Sequence, residues 1–182
     1  MEERSKITDE EFFSSKAYQA YISDICEAAT KRYRRPLKVT IVADHDDETL
    51  AHTDFKGIYI NACNEITWSM PGRMLRSLSI EGLAAHENGH NLFTDNRVWR
   101  MYQTALEHGR FYPKMPHGLD GIQKLHAQEI LDALQDDADD IPKMVICSTA
   151  QALSNVLEDG YVDARYAYEF PGNPARGITL NN

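Results

Sequence analysis

Cysteine is scarce in this chain. Only Cys26, Cys63 and Cys147 occur in 182 residues, far apart and without a CxxC pair. That excludes a disulfide framework and points to free thiols in a reducing compartment, so a cytoplasmic protein is expected. No apolar run approaches the ~18 residues needed to span a bilayer, so no membrane is expected. The opening MEERSKITDEEFF lacks the apolar core of a secretion signal. Basic residues are in deficit: Lys+Arg is 19 against Asp+Glu 28, a net charge of −9. Such a chain is a poor general binder of phosphate backbones, and no nucleic-acid partner is expected. Glycine and proline are scattered rather than clustered, so neither a flexible linker nor a repeat is visible. What is there is ordinary globular composition, 42% hydrophobic and 26% charged. The length suits one domain, expected over residues 1–182.

Local signals order the elements. Thr8 with Glu11 three residues later forms a capping box, opening a helix expected over 8–34 and stopped by Pro36. Residues 37–43 read as the best strand, followed by an acidic connector from Asp44 to Glu48. Short strands are expected at 51–54 and 57–62, with a turn at Lys56-Gly57. After a break at 69–72 a helix should run over 73–94. Residues 95–116 read as irregular or short helical, 119–138 as helix, and 145–168 as a further helix ended by Phe170–Pro174. The five aspartates between Asp132 and Asp140 read as a solvated helix end and loop. The tail from Ala175 has no stop signal, so the natural protein is expected to continue, with this chain as its N-terminal part. A small sheet followed by helices makes the expected fold class α+β.

The chemistry centres on His86-Glu87-Asn88-Gly89-His90, an HExxH pattern inside the 73–94 helix. Positions four apart share a helical face, so two imidazoles can offer nitrogens to one metal ion. Glu87, about 100° around the helix, can reach a water held by that metal without itself ligating. Zinc with two histidines and a neighbouring glutamate base is the metalloprotease arrangement. With 7 His and 13 Glu in the chain, composition alone would produce roughly 0.02 such matches. Gly82 and Gly89, seven apart, imply close approach of another backbone or close helix packing.

A catalytic zinc needs a third protein ligand. The metzincin extension fails, because Phe93 and Asn96 stand where Gly and His would be required. Asp95 could orient a ligand or cap a helix. On the late helix, Leu153, Leu157, Tyr161 and Ala164 form an apolar stripe. Glu158 flanks it and Asp159 lies nearly opposite its centre. Glu158 is therefore the expected third ligand. Asp159 is the runner-up, with Asp163 four residues on as its orienter. His108, His117 and His126 lack a supporting spacing, and Tyr161 or another tyrosine could stabilise an oxyanion.

His86-Glu-Asn-Gly-His90 with Leu92-Phe93-Thr94-Asp95, then Asn155-Val-Leu-Glu158-Asp159-Gly160-Tyr161, resembles the gluzincin kind of zincin metallopeptidase. More narrowly it is similar to bacterial and phage metallopeptidase domains, some joined to a von Willebrand factor A-like region. The resemblance covers roughly residues 37–174. It implies a small twisted sheet above an active-site helix, with a second helix bringing the third ligand. It departs from the NExxxD pattern of that kind, because Val162 stands four after Glu158, whereas Asp163 stands four after Asp159. The expected function is a zinc-dependent peptidase acting on a peptide or protein substrate. His86, His90 and Glu158 would hold Zn2+, and Glu87 would be the general base. The alternative is a catalytically silent zincin-like module that binds a protein partner, its cleft covered by a C-terminal region absent from this chain.

Overall fold

The computed structural model describes residues 7–31, 37–112, 114–136 and 140–182. It is a mixed α/β structure with a small sheet. Where one domain was expected, the chain divides into two compact units, Met1–Thr94 with Asp159–Asn182, and Asp95–Glu158.

The first unit opens with α1 (Asp9–Phe13) and α2 (Lys16–Thr30). The capping box forms as expected, with the Thr8 hydroxyl on the Glu11 N–H and the Glu11 carboxylate on the Thr8 N–H. The single helix expected over 8–34 is interrupted at Ser14–Ser15. Ser15 takes an extended conformation and its hydroxyl accepts from the Tyr18 N–H. A serine side chain thus replaces the helical carbonyl as acceptor and starts a new helix. The stop at Pro36 lies outside the described residues. Along α2, Tyr18, Ile22 and Cys26 recur every fourth residue and are buried.

Strands β1 (Lys38–Val42), β2 (Ala51–Thr53) and β3 (Gly57–Asn61) follow. The sheet order is β1-β3-β2, with β1 parallel and β2 antiparallel to β3. The β2–β3 turn runs from Asp54 to Gly57 and takes in the expected Lys56-Gly57 pair. Asp54 Oδ1 accepts from the N–H groups of Lys56 and Gly57 at 2.9 and 2.8 Å. Phe55 takes the left-handed conformation, φ 66°. Val39, Ile41, Ile58 and Ile60 turn one face of the sheet into a core shared with Ile22, Cys26, Ile80 and Ala84.

A short α3 (Glu65–Ser69), capped by Asn64, precedes the expected break. Next comes α4 (Arg73–Phe93), close to its expected bounds and buried from Ser79 to Ala85. Beyond the second unit, α7 (Asp140–Glu169) returns to the first, and α8 (Asn173–Asn181) closes it. No element was assigned to the tail from Ala175, and it forms most of α8, a helix with Pro174 in its first turn, where a missing N–H costs nothing. It lies backbone to backbone on α4: a Cβ on Gly82 would fall on the Gly177 carbonyl, and one on Gly177 on the Leu78 carbonyl. The Ser79 hydroxyl donates to Asn181 Oδ1 at 2.7 Å, and Asn181 Nδ2 donates to the Ser79 carbonyl at 3.0 Å. The Gly82 signal thus marks helix packing.

The second unit holds α5 (Asn96–Glu107), α6 (Gly121–Gln135) and the first part of α7. The stretch expected to be irregular contains a 12-residue helix, whose N-terminus Asp95 caps by accepting from the N–H groups of Arg97 and Val98. Asp95 is therefore a cap. The aspartate-rich stretch spans the end of α6, with Asp132 inside that helix, Asp136 at its C-cap and Asp140 opening α7, and its residues 137–139 lie outside the described ones.

Gly82→Ala should cost about 1–3 kcal/mol, because the methyl meets backbone rather than a flexible side chain. In α7, Gly160 has nothing within 4 Å of a built Cβ. Gly160→Ala should therefore stabilise by up to ~1 kcal/mol through helix propensity. Thermal melts of the two variants should shift in opposite directions.

Candidate metal centre

The site begins with the spacing on α4. His86 and His90 stand one turn apart, and their Nε2 atoms are 3.3 Å from each other. Gly89 lies between them in the chain. A Cβ there would strike Val162 Cγ1 of α7, so the bare backbone lets α7 lie close. Val162 and Tyr166, essentially fully buried, mark the face of α7 that meets α4. Asp159 and Asp163 lie along that same face, at the three- and four-residue spacing of one helical side.

Asp159 Oδ1 reaches His90 Nε2 at 3.3 Å and His86 Nε2 at 3.8 Å. Three electron-pair donors thus converge, with edges of 3.3, 3.3 and 3.8 Å. Tetrahedral zinc with bonds of ~2.0–2.2 Å needs ligand–ligand edges of about 3.3–3.6 Å. The other ring nitrogens are held from behind. Asp163 Oδ1 lies 2.7 Å from His86 Nδ1, and Thr94 Oγ1 lies 3.0 Å from His90 Nδ1. With a metal held there, a proton on each Nδ1 would leave both Nε2 lone pairs free to bind it. Among the described residues, His86, His90 and Asp159 are the group able to hold a metal ion. The donor set of two imidazoles and a carboxylate fits zinc.

The electrostatics separate the carboxylates. Burial pushes the Glu87 carboxyl above its ordinary value, against the pull of His86, His90 and His52. The Asp159 carboxyl is held low, first by its hydrogen bond with His90, with burial opposing and the charges of both histidines adding to it. For His86, burial lowers the pKa, yet Asp163, Glu87 and Asp159 outweigh it and the net direction is up. Glu87, 8% exposed, lines a cleft of ≈ 280 Å³ with Leu50, Ala51, Leu83, His86 and Asp159.

His86, Glu87 and His90 therefore come together as the motif implied, but Glu158 is not in the converging group. One residue is about 100° of rotation, so with Asp159 facing the histidines Glu158 points elsewhere. The stripe that recommended Glu158 is solvent-facing: Leu153 is 59% exposed, Leu157 73% and Tyr161 47%. The buried stripe is Val162 and Tyr166. Tyr161 is absent from the cleft lining, and its hydroxyl accepts from Arg165 instead. His108 and His126 bond within their own helices, to the Thr104 carbonyl and to Glu129, and His117 is exposed. Thr94 was not foreseen as a histidine partner, although its position four after His90 was a usable signal. Comparison with known proteins returns no matching family model, no matching curated protein and no matching solved structure.

Asp159→Ala should abolish stoichiometric zinc binding, whereas Glu158→Ala should bind near parental affinity. Asp163→Asn should bind about 10–100-fold more weakly through loss of the His86 orienting contact. Zinc titration with a competing chelator ranks the three. In the metal-free chain the raised His86 pKa has a defined sign. Its contribution to stability is full below the unfolded value of about 6.5 and is lost as pH rises through the folded value. Melts across that window should show the dependence in the parent and lose it in Asp163→Asn.

Proposed function

We propose that this chain is a zinc-dependent peptidase that acts in the cytoplasm on peptide or protein substrates. The observation that carries this reading is the convergence of His86 Nε2, His90 Nε2 and Asp159 Oδ1 beside buried Glu87. A zinc ion held there would supply Lewis acidity, acidifying water and polarising the scissile carbonyl. Glu87 does the proton work: its carboxylate takes a proton from the attacking water and returns it to the leaving amine nitrogen. Burial suits it to this, since a raised pKa brings a carboxylate nearer the pH at which it must both accept and release a proton. Asp159 remains ionised and serves as ligand, while Asp163 and Thr94 hold the two imidazoles in place. The placement of β2 supports an extended substrate. It is an edge strand, and Ala51 together with the preceding Leu50 lines the cleft. A peptide could pair along such an edge. No described helix is long and apolar enough to cross a membrane, which accords with action in solution.

Glu87→Gln is nearly isosteric and removes the base. Against a degenerate peptide library, the zinc-loaded parent should cleave, and Glu87→Gln should retain zinc and its melting temperature while losing about 10²–10⁴-fold in rate. Cleavage by the variant at the parental rate would remove Glu87 from the mechanism. No cleavage by the zinc-loaded parent would favour the non-catalytic, partner-binding module.

A further inference from the structure

Beside its histidines and acids, the cleft at Glu87 has an aliphatic wall. Leu50 before β2, Ala51 in β2, Ile66 in α3, Leu83 in α4 and Ile178 in α8 form it, with the bare backbone of Gly82 among them. Two of these side chains are anchored in packed interior. Leu83, 8% exposed, belongs to the core that the sheet shares with α2 and α4, and Ile178, 6% exposed, packs with Ala85 and Tyr166. Leu50, 36% exposed, lies at the rim. The wall is therefore held before any ligand arrives.

The polar groups of the lining are already engaged. Asn181 bonds Ser79 through both atoms of its amide. Asp163 holds the His86 ring and accepts from Asn182 Nδ2 at 3.4 Å. Asp159 faces both imidazoles. No lysine or arginine is among the described residues of the lining. An aliphatic group entering here leaves water for apolar surface, which is favourable. A charged group loses its hydration without replacement, and a carboxylate also meets the acids at the mouth. The volume of ≈ 280 Å³ falls just under the ~300–1,000 Å³ of pockets that take a whole small molecule. It suits one side chain of a longer ligand.

Resting on the peptidase reading, we propose that this cleft selects the substrate. It takes one bulky aliphatic side chain, Leu, Ile, Val or Met, from a residue next to the cleaved bond. Gly or Ala leaves the wall unfilled, and Asp, Glu or Lys is disfavoured by desolvation.

Hydroxamates test the pocket without cleavage, because they share one metal-binding head and differ only in the tail. In calorimetric titration of the zinc-loaded full chain, 4-methylpentanohydroxamate should bind about 10–100-fold more tightly than acetohydroxamate. Succinic monohydroxamate and 6-aminohexanohydroxamate should gain nothing over acetohydroxamate. Ala51→Ile narrows the cleft and should remove the aliphatic advantage while acetohydroxamate binds as before. Because Ala51→Ile could fail to fold, Leu50→Ala at the exposed rim decides independently and should reduce the advantage about threefold or more. With a degenerate peptide library, the parent should enrich Leu, Ile, Val and Met at one position flanking the cleaved bond. Equal binding of the four probes, an advantage unchanged in Leu50→Ala, or cleavage without aliphatic enrichment would overturn the pocket and leave the peptidase reading standing. Aliphatic-selective binding with no peptide cleaved would instead overturn the peptidase reading and leave the selectivity of the cleft. Failure of acetohydroxamate to bind at all would remove the metal centre, and this proposal with it.

Discussion

The candidate metal centre depends on the contact between the bare backbone of Gly89 and the side chain of Val162. Interiors pack at crystal-like density, so a single methyl at position 89 would hold α7 away from α4. With that contact made, Val162 and Tyr166 bury completely, and the same helical face delivers Asp159 and Asp163 to the two imidazoles. Gly82 and Gly177 repeat the device two turns earlier on α4, bringing α8 against it. Glycine is unfavourable in a helix interior by roughly 1 kcal/mol. In α4 both glycines are offset by contacts that a side chain would prevent.

The polarity of α4 is the second constraint. Ser79, Glu81, Glu87 and Asn88 are all buried in a helix that lies at the centre of its unit. The two that serve structure have partners: Ser79 bonds Thr67 and Asn181, and Asn88 Nδ2 donates to the Cys26 carbonyl. Glu81 also accepts from the Tyr21 and Ser77 hydroxyls, and both glutamates line a cleft. Around the candidate metal centre, neighbouring carboxylates are driven apart: Glu87 upward by burial, Asp159 downward by its histidine contacts. Divergent environments of this kind suit the two carboxylates to the separate roles proposed for them, Asp159 as ligand and Glu87 as base.

Much was legible without coordinates because its causes are local. The i, i+4 pair of histidines, the Thr8 capping box and the alternation of Ile58 and Ile60 all express their geometry within a turn or a strand. The elements that escaped lacked such signals or carried competing ones. The break at Ser14–Ser15 arises because a side-chain cap competes with a continuing helix. The 12-residue helix α5 follows an aspartate that could be read as cap or as orienter. The tail helix α8 has little periodicity of its own and gains its order by packing Gly177 on Gly82.

The chain by itself determined that two imidazoles and a glutamate stand together on one helix, because 3.6 residues per turn admits no other placement for that spacing. It could not choose the third member. Glu158 and Asp159 are adjacent carboxylates about 100° apart on α7, and which one meets the histidines depends on which face of α7 is buried. The periodicity of Leu153, Leu157 and Tyr161 pointed to one face, yet those residues are exposed. Only the approach of two helices distant in sequence, permitted by Gly89 and filled by Val162, selected the other face and with it Asp159.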